Sequence, residues 1–318
     1  MPKYLGGRII QGVILVILVS VITFLVIHAA PGGPEMLADP DLSREEVASL
    51  QAMLGLDAPI HVQYARWAFK VIYGELGRSY SYGVPVIRLL LERLPNTLLL
   101  SGFSLVLSAL VAIPLGILAA IRRGTMTDHL AVGLSIVGIA VPVFWLGIML
   151  IIVFAVNLKW FPTGGIGTLG EVFSLPDFLN HLILPAIVLS TPITAQLSRY
   201  TRSSFISVLS EDYVRTARAK GLLEYRVILA HVFRNSMIPV VTVLGTIIPR
   251  VFGGAAITEA IFSWPGLGRL AVEAAFQRDY PIVMGVTLMI CTVVILTNIF
   301  VDACYALIDP RVVVGEKR

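Results

Sequence analysis

The sequence predicts an all-α integral membrane protein with six transmembrane helices. Of its 318 residues, 57% are hydrophobic and only 14% are charged, whereas a soluble globular domain carries about 25% charged residues. The apolar residues form continuous runs long enough to cross a bilayer as helices, not the short alternating segments of a β-barrel. The net charge of +4 does not indicate nucleic-acid binding, because the basic residues are not gathered in one patch.

Six segments are apolar and long enough to serve as transmembrane helices, since about 20 residues are needed. The fourth is short and contains Pro185 and Pro192. The first is longer than the roughly 7–15 residues of a signal-peptide apolar region and lacks a clear A-x-A cleavage site, so we expect it to remain as a span. The predicted spans are residues 9–30, 97–121, 130–158, 182–198, 237–257 and 281–307.

The distribution of lysine and arginine predicts that both termini are cytoplasmic. Cytoplasmic loops carry an excess of these residues, and short loops are the informative ones. An N-terminus inside places Arg122 and Arg123, the basic cluster between Arg199 and Arg234, and the basic C-terminal tail on the same side. The long first external segment counts for little in this comparison.

This topology divides the chain into four parts. Residues 1–30 form a cytoplasmic tail with the first helix, 31–96 an external segment, 97–308 a core with helices 2–6, and 309–318 a cytoplasmic tail. In the external segment, Ser43 and Glu46 have the spacing of a capping box, which predicts a helix over residues 43–54. We expect a small folded external cap, to which short strands could contribute.

A short polar helix is predicted between the fourth and fifth spans, from Glu211 to Gly221. Ser210 is the predicted N-cap, acidic residues fill the first turn, basic residues fill the last, and Gly221 ends the helix. Such a helix lies outside the bilayer. It is either an ordinary cytoplasmic loop helix or a docking helix that receives force from a soluble partner.

The sequence contains no motif of catalysis, cofactor binding or metal binding. It lacks a P-loop, the H-E-x-x-H motif and the G-x-S-x-G motif. Its five histidines are scattered without metal-ligand spacing. Cys291 and Cys304 are about 20 Å apart on one predicted helix and cannot form a disulfide. We therefore expect no enzyme activity, no cofactor and no metal.

Two ionisable residues fall within predicted spans, where burying a charge is costly. Arg250 is either a cavity-lining cation that meets an anionic part of a substrate or a structural arginine, paired or reaching outward. Asp302 favours a structural pair with a basic residue of another helix over a proton relay. Prolines within the spans permit kinks. A ladder of carboxylates and histidines, as a proton-driven pump would need, is absent from the sequence.

A series of motifs, in order along nearly the whole chain, resembles the membrane subunit of an ABC importer, namely the first permease of the dipeptide/oligopeptide/nickel group. The segment Arg215-Thr-Ala217 with Gly221 is in register with the coupling motif of these permeases, although Arg215 stands where glutamate is usual. The tail His231-Val-Phe-Arg234 departs from the common I-x-L-P. Further motifs are Pro31-Gly-Gly-Pro34, Leu54-Gly-Leu-Asp-Ala-Pro59, Gly74-Glu-Leu-Gly77, Leu94-Pro-Asn-Thr97, Phe262-Ser-Trp-Pro-Gly-Leu-Gly268 and Asp309-Pro-Arg311.

The resemblance implies the type I ABC importer permease fold and a cytoplasmic coupling helix that contacts an ATPase. The residues it assigns to that helix are Glu211, Asp212, Tyr213, Arg215, Thr216, Ala217, Arg218, Lys220 and Gly221. Small Ala217 and the exit at Gly221 would let the helix sit in a cleft of the partner.

The implied function is that of a permease subunit in the bacterial inner membrane, forming half of the pathway of an ATP-driven, binding-protein-dependent importer of peptides. The implied partners are a second homologous permease in a heterodimer, two ATPase subunits, an extracytoplasmic substrate-binding protein and the lipid membrane, with no nucleic acid. The alternatives are import of another solute (a nickel chelate, glutathione, an opine or an oligosaccharide) and an ATP-independent channel or secondary transporter.

Overall fold

The computed structural model describes residues 2–29, 33–34, 43–168 and 170–308, with side chains for 6–29, 33–34, 43–168 and 170–302. The predicted tail 309–318 and the side chain of Cys304 lie outside these ranges. The helices are α1 (Pro2–Ala29), α2 (Arg44–Leu54), α3 (Ile60–Ile72), α4 (Val86–Ile121), α5 (Met126–Ala140), α6 (Val143–Leu150), α7 (Leu175–Leu209), α8 (Asp212–Ala219), α9 (Glu224–Arg226), α10 (Arg234–Ile261), α11 (Leu267–Phe276) and α12 (Tyr280–Ile308). Two π-helical segments, Ile151–Asn157 and Val227–Phe233, follow α6 and α9.

Five single helices in the described residues are long and apolar enough to cross a membrane. They are α1, α4, α7, α12 and the continuous stretch from α9 through α10. A sixth span is possible in length and composition if α5 and the segment from α6 to Asn157 count as one broken span. The predicted all-α membrane fold is therefore confirmed, and the predicted six spans are reached if the broken pair counts as one span.

The predicted third span, residues 130–158, is not one straight helix. It bends by 100° between α5 and α6. Val141 is extended there (φ −74°, ψ 123°) and Pro142 precedes α6. Proline disfavours helical backbone in the residue before it and has no N–H for the helix ladder, so the helix ends at this position.

The predicted fourth span, residues 182–198, is the middle of a much longer helix. The 35-residue α7 runs through Pro185 and Pro192 and continues to Leu209. Hydropathy falls before the helix ends, because the turns after Ser198 carry arginine, serine and tyrosine. A hydropathy boundary therefore marks the end of the apolar stretch, not the end of the helix.

The chain folds into two compact units, residues 1–97 with 265–318 and residues 98–264. In the first unit, the beginning of α4 packs against α11 and α12 around Val86, Leu90, Leu267, Leu270 and Ile282. In the second unit, α4, α7 and α10 enclose a core that includes Leu100, Leu182, Leu189, Ile247 and Trp264. Each unit thus has an apolar core built from helix faces.

The segment between α1 and α4 contains the predicted capped helix. The Ser43 side chain accepts a hydrogen bond from the Glu46 amide (3.3 Å), and the Ser43 amide donates to Glu46 Oε2 (2.8 Å). This amide lowers the pKa of the Glu46 carboxyl group below its usual value. Strands do not form in the described part of this segment, where the β-structure is an isolated bridge between Arg78 and Pro85.

The ends of α1 and α12 are joined by an ion pair. Arg8 Nε lies 2.9 Å from Asp302 Oδ2. This contact confirms that Asp302 pairs with a basic residue of another helix, since an ionisable group in an apolar helix is least costly when it is paired.

A candidate docking helix and a polar stripe

The short polar helix is present as α8, and its caps differ slightly from the prediction. Glu211 is the N-cap residue (φ −69°, ψ 147°). The predicted N-cap Ser210 is wrong, because its backbone is still helical and its hydroxyl donates to the carbonyl of Ser207 at 2.7 Å, at the end of α7. Gly221 has φ +73° and its amide donates to the carbonyl of Arg218 at 2.9 Å. The left-handed glycine stop is therefore confirmed.

One face of α8 is buried in this chain. Val214 is 0% exposed and Ala217 is 6% exposed. Both belong to an apolar cluster with Phe205 from α7 and with Val227 and Val232 from the π-helical segment. The small size of Ala217 is thus explained by close packing against its own chain.

The two edges of α8 are fixed by polar contacts. Arg218 donates two hydrogen bonds to Glu224, at 3.2 Å and 2.7 Å. This carboxylate raises the pKa of the Arg218 guanidinium. On the other edge, the Asn235 side-chain amide donates to the Tyr213 hydroxyl at 3.0 Å. Helix α8 is therefore tied both to the loop that follows it and to the beginning of α10.

The outward face of α8 is polar and contains a small residue. At about 100° per residue, Asp212, Arg215, Thr216 and Ala219 point away from Val214 and Ala217, and all four are exposed. Arg215 and Asp212 form an ion pair at 3.2 Å with both side chains largely exposed. This outward face has the free surface that a docking helix needs.

Exposed apolar residues continue this surface beyond Gly221, which the sequence analysis did not identify. Leu222, Leu223 and Tyr225 are exposed next to α8. The π-helical segment Val227–Phe233 then leads into α10. Such segments are rare and occur often at functional sites. Hydropathy gives no signal for this π-helical segment, because its pattern of apolar residues is the same as that of an α-helix.

A partly buried ion pair, also missed from the sequence, fixes α5 to α7. Arg202 donates to both carboxylate oxygens of Asp128, at 2.6 Å and 2.7 Å. The Gly124 amide donates to the same carboxylate at 2.9 Å. Asp128 is buried within the second unit. The only signal in the sequence was an acidic residue at the start of a predicted span, opposite a basic cluster.

Arg250 lies on an exposed stripe of α10. Thr242, Thr246, Arg250 and Gly253 follow one another at intervals of four, four and three residues, and all four are exposed. Arg250 has no hydrogen-bond or ion-pair partner among the residues whose side chains are described. It lies 16 residues, about 24 Å, along α10 from Arg234. The stripe and α8 are therefore separate sites.

Comparison with known proteins shows which family and which relatives the chain is similar to. The family described as "Binding-protein-dependent transport system inner membrane component" matches residues 112–314, and its N-terminal family matches residues 1–101. An oligopeptide transport system permease protein of Bacillus subtilis is 43% identical over 314 residues, covering 98% of this chain and 99% of the relative. The dipeptide transport system permease protein of Escherichia coli K12 is 42% identical, covering 92% and 94%. A glutathione transport system permease protein of Salmonella paratyphi A is 39% identical, covering 98% and 99%.

The fold is also similar to a solved structure. An inward-facing structure of the MetNI methionine ABC transporter aligns with a TM-score of 0.55 and 14% sequence identity, covering 70% of this chain and 97% of the other. At this identity, the similarity shows the fold alone.

Proposed function

We propose that this chain is a permease subunit of a peptide importer. The premise is that it belongs to the family of binding-protein-dependent transport system inner membrane components. Members of this family are multi-pass inner membrane permeases and are not themselves enzymes. The peptide substrate is supported by relatives near 40% identity that are named oligopeptide and dipeptide permeases. A relative named for glutathione transport makes small modified peptides the second candidate.

In this proposal the chain forms half of the translocation pathway. The other half is a second homologous permease, and two ATP-binding cassette subunits supply the energy. A substrate-binding protein delivers the solute from the opposite side of the membrane. The lack of a P-loop in the sequence supports ATP hydrolysis by separate subunits. With both termini cytoplasmic, α8 lies on the side of the ATPases.

The observation that carries the coupling mechanism is the two-faced construction of α8. Its outward face is free for a groove of the ATPase, while its inward face and both edges are fixed to the permease. A push on Asp212, Arg215, Thr216 and Ala219 is transmitted through Val214 and Ala217 to α7, and through Tyr213 and Asn235 to α10. These two long helices would then move the core between inward-open and outward-open states.

The experiment is reconstitution of the complete transporter with Ala219→Trp. The tryptophan projects from the outward face, so the permease should fold normally while the docking contact is blocked. We expect binding-protein-stimulated ATP hydrolysis and peptide uptake to fall at least tenfold. Ala48→Trp, an exposed alanine of α2, is the matched control and should keep both activities. Wild-type coupling in the Ala219→Trp transporter would refute the docking role.

We further infer that Arg250 lines the pathway and meets the carboxylate of a peptide. Its exposure on the stripe of α10 that also contains Thr242 and Thr246, without a partner among the described side chains, supports this role. Arg250→Ala should raise the KM for a dipeptide more than for the same dipeptide with an amidated C-terminus, and Arg250→Lys should restore part of the difference. An equal effect on both substrates would support a structural arginine.

The proposed topology is tested by cysteine labelling. Ser49 and Ser207 are both exposed, so Ser49→Cys and Ser207→Cys can react in a chain whose native cysteines are replaced by serine. A membrane-impermeant maleimide should label the first variant in intact cells and the second only after permeabilisation. The reverse pattern would invert the orientation.

A further inference from the structure

Helix α3 packs against the C-terminal third of α1. In α1, Arg8 and His28 bracket 19 residues that are apolar except for Gln11, Ser20 and Thr23. Their length of about 28 Å matches the hydrocarbon thickness of a bilayer. The antiparallel α12 has the same limits, because Asp302 pairs with Arg8 and the Tyr280 ring lies 4.7 Å from the His28 ring.

Contacts between α1 and α3 lie inside the His28 boundary. The Tyr64 hydroxyl is 2.9 Å from the Ser20 hydroxyl, and the rings of Tyr64 and Phe24 are 5.3 Å apart. Gln63 contacts His28 itself, at 3.2 Å. Phe24 is four residues, about 6 Å, below His28. Helix α3 thus lies at the depth that amphipathic interfacial helices occupy.

The face of α3 turned away from α1 is apolar and exposed. Phe69 is 61% exposed and Ile72 is 80% exposed, with exposed Ala65 beside them. Arg66 and Lys70 share the side of Gln63, which is the side at the membrane boundary. This order of an apolar face below a basic edge is typical of a helix that lies in the membrane surface.

A cavity of about 640 Å³ adjoins the basic edge of α3, at the level of Tyr280. Its charged lining residues are Arg66, Lys70, Arg78 and Glu75. Arg66, Lys70 and Glu75 have no ion pair within the described part of the chain. Trp67 also lines the cavity, through its ring. The Arg78 guanidinium donates to the Gly83 carbonyl at 3.2 Å and 2.7 Å, which leaves Arg66 and Lys70 as the cations of this lining without a partner among the described residues. These two cations and one carboxylate suit a phosphate group, whose attached ammonium, where present, could meet Glu75.

We propose that α3 is an interfacial helix in the leaflet at the C-terminal end of α1 and that the adjoining cavity binds the headgroup phosphate of a phospholipid. Phe69 and Ile72 lie among the acyl chains, while Arg66 and Lys70 face the phosphate. A soluble partner protein would be the alternative occupant of this surface. The position of α3 along α1 favours lipid. Its contacts with Ser20 and Phe24 lie on the bilayer side of His28, where the apolar stretch of α1 ends, and a soluble protein does not reach that far into the membrane.

Spin labels test the placement of the helix in vesicles of phosphatidylethanolamine and phosphatidylglycerol that contain the complete transporter. In a chain whose native cysteines are serine, Phe69→Cys and Ile72→Cys labels should be more accessible to oxygen than to a nickel chelate, and the Ser49→Cys control should show the reverse. Labels at 69 and 72 that are freely reached by the nickel chelate would overturn the proposal. The proposal would also be overturned if the nickel chelate reached the labels freely until the binding protein was added, because that protein would then be what covers the surface.

Lipid retention tests the cavity. Native mass spectrometry of the detergent-purified transporter should show a retained phospholipid that the double variant Arg66→Gln/Lys70→Gln reduces at least threefold. Arg44→Gln, an exposed arginine outside the cavity, should not change it. Excess inorganic phosphate should leave the lipid in place; its displacement would assign the cavity to a free anion. Equal lipid retention in the double variant and the wild type would refute the headgroup site.

Discussion

Gly221 ends α8 in a conformation that other residues adopt at a cost. Its φ is +73°, in the left-handed region. A Cβ atom added there meets no heavy atom within 4 Å. Substitution therefore brings the backbone penalty without a steric clash. This separation makes Gly221 a clean test of whether the geometry at the end of α8 matters for coupling.

The expected magnitude follows from the backbone alone. A left-handed conformation costs an ordinary L-residue about 1–2 kcal/mol. Asparagine adopts this region more readily than other non-glycine residues, whereas a β-branched residue is a genuine outlier. The destabilisation should therefore increase in the order Gly, Asn, Ala, Val. A cost of about 1–2 kcal/mol corresponds to roughly a 5–30-fold change in a local opening equilibrium.

Hydrogen exchange of the amides around α8, measured in the complete transporter, provides the assay. Gly221→Val should speed exchange of the last turn of α8 by roughly 5–30-fold, and coupled ATP hydrolysis should fall in the same order of substitutions. Gly133→Ala is the control, because Gly133 is helical within α5 and an added Cβ meets nothing within 4 Å. Wild-type exchange in Gly221→Val, or equal effects of asparagine and valine, would contradict the reasoning.

Further substitutions test local structure at three places: the Asp128–Arg202 pair, the packing at Gly116 and the cap of α2. Asp128→Ala removes both hydrogen bonds from Arg202 and should destabilise the second unit by about 2–3 kcal/mol, measured in a double-mutant cycle with Arg202→Ala; additive effects would contradict a direct pair. Gly116→Ala places a Cβ 2.6 Å from the backbone oxygen of Ser198 and should cost about 1–3 kcal/mol in thermal unfolding. Gly102→Ala in the same helix adds a Cβ with no heavy atom within 4 Å, so it should leave the stability unchanged or raise it. Ser43→Ala should cost α2 about 1 kcal/mol, seen as faster exchange of its first turn and unchanged exchange elsewhere.

The sequence predicted the helical membrane fold well because its main signals are local. Continuous apolar runs locate α1, α4, α10 and α12, and the capping box of α2 is written in Ser43 and Glu46. Hydropathy shows which part of a helix lipid can surround, so it underestimates the length of helices that extend beyond the bilayer. Helix α7 shows this limit, since its apolar part is about half of its length.

The effect of each proline could not be predicted from the sequence. Pro142 coincides with a 100° bend, whereas Pro185 and Pro192 lie inside the continuous α7. All three remove an N–H from the helix ladder. In α7, neighbouring helices bury the residues around both prolines and hold the helix together. The outcome therefore depends on tertiary packing that leaves no pattern in the local sequence.

Part of the candidate site was predicted from residue types, but its orientation was not. From residue types, small Ala217 was expected to let the helix enter a cleft of the partner. A small residue there can also fit the interior of its own chain. The structure shows that Ala217 fits the interior of its own chain, because it is buried with Val214 and Phe205. Ala217→Trp would therefore disturb folding before it disturbed docking, and it could not separate the two roles.

The same geometry explains why position 215 can depart from the glutamate usual in the coupling motif. Arg215 points outward, is largely exposed, and forms an ion pair only with Asp212, at 3.2 Å, among the described residues. A charge at such a position contributes little to the stability of its own chain, since exposed ion pairs are worth about 0–1 kcal/mol. Its sign is then free to match whatever charge a partner presents. Position 217 has no such freedom, because a larger side chain would have to displace the packed residues of α7 and the π-helical segment. Inward positions of α8 are thus constrained by packing within the chain, and outward positions are left free to suit the proposed partner.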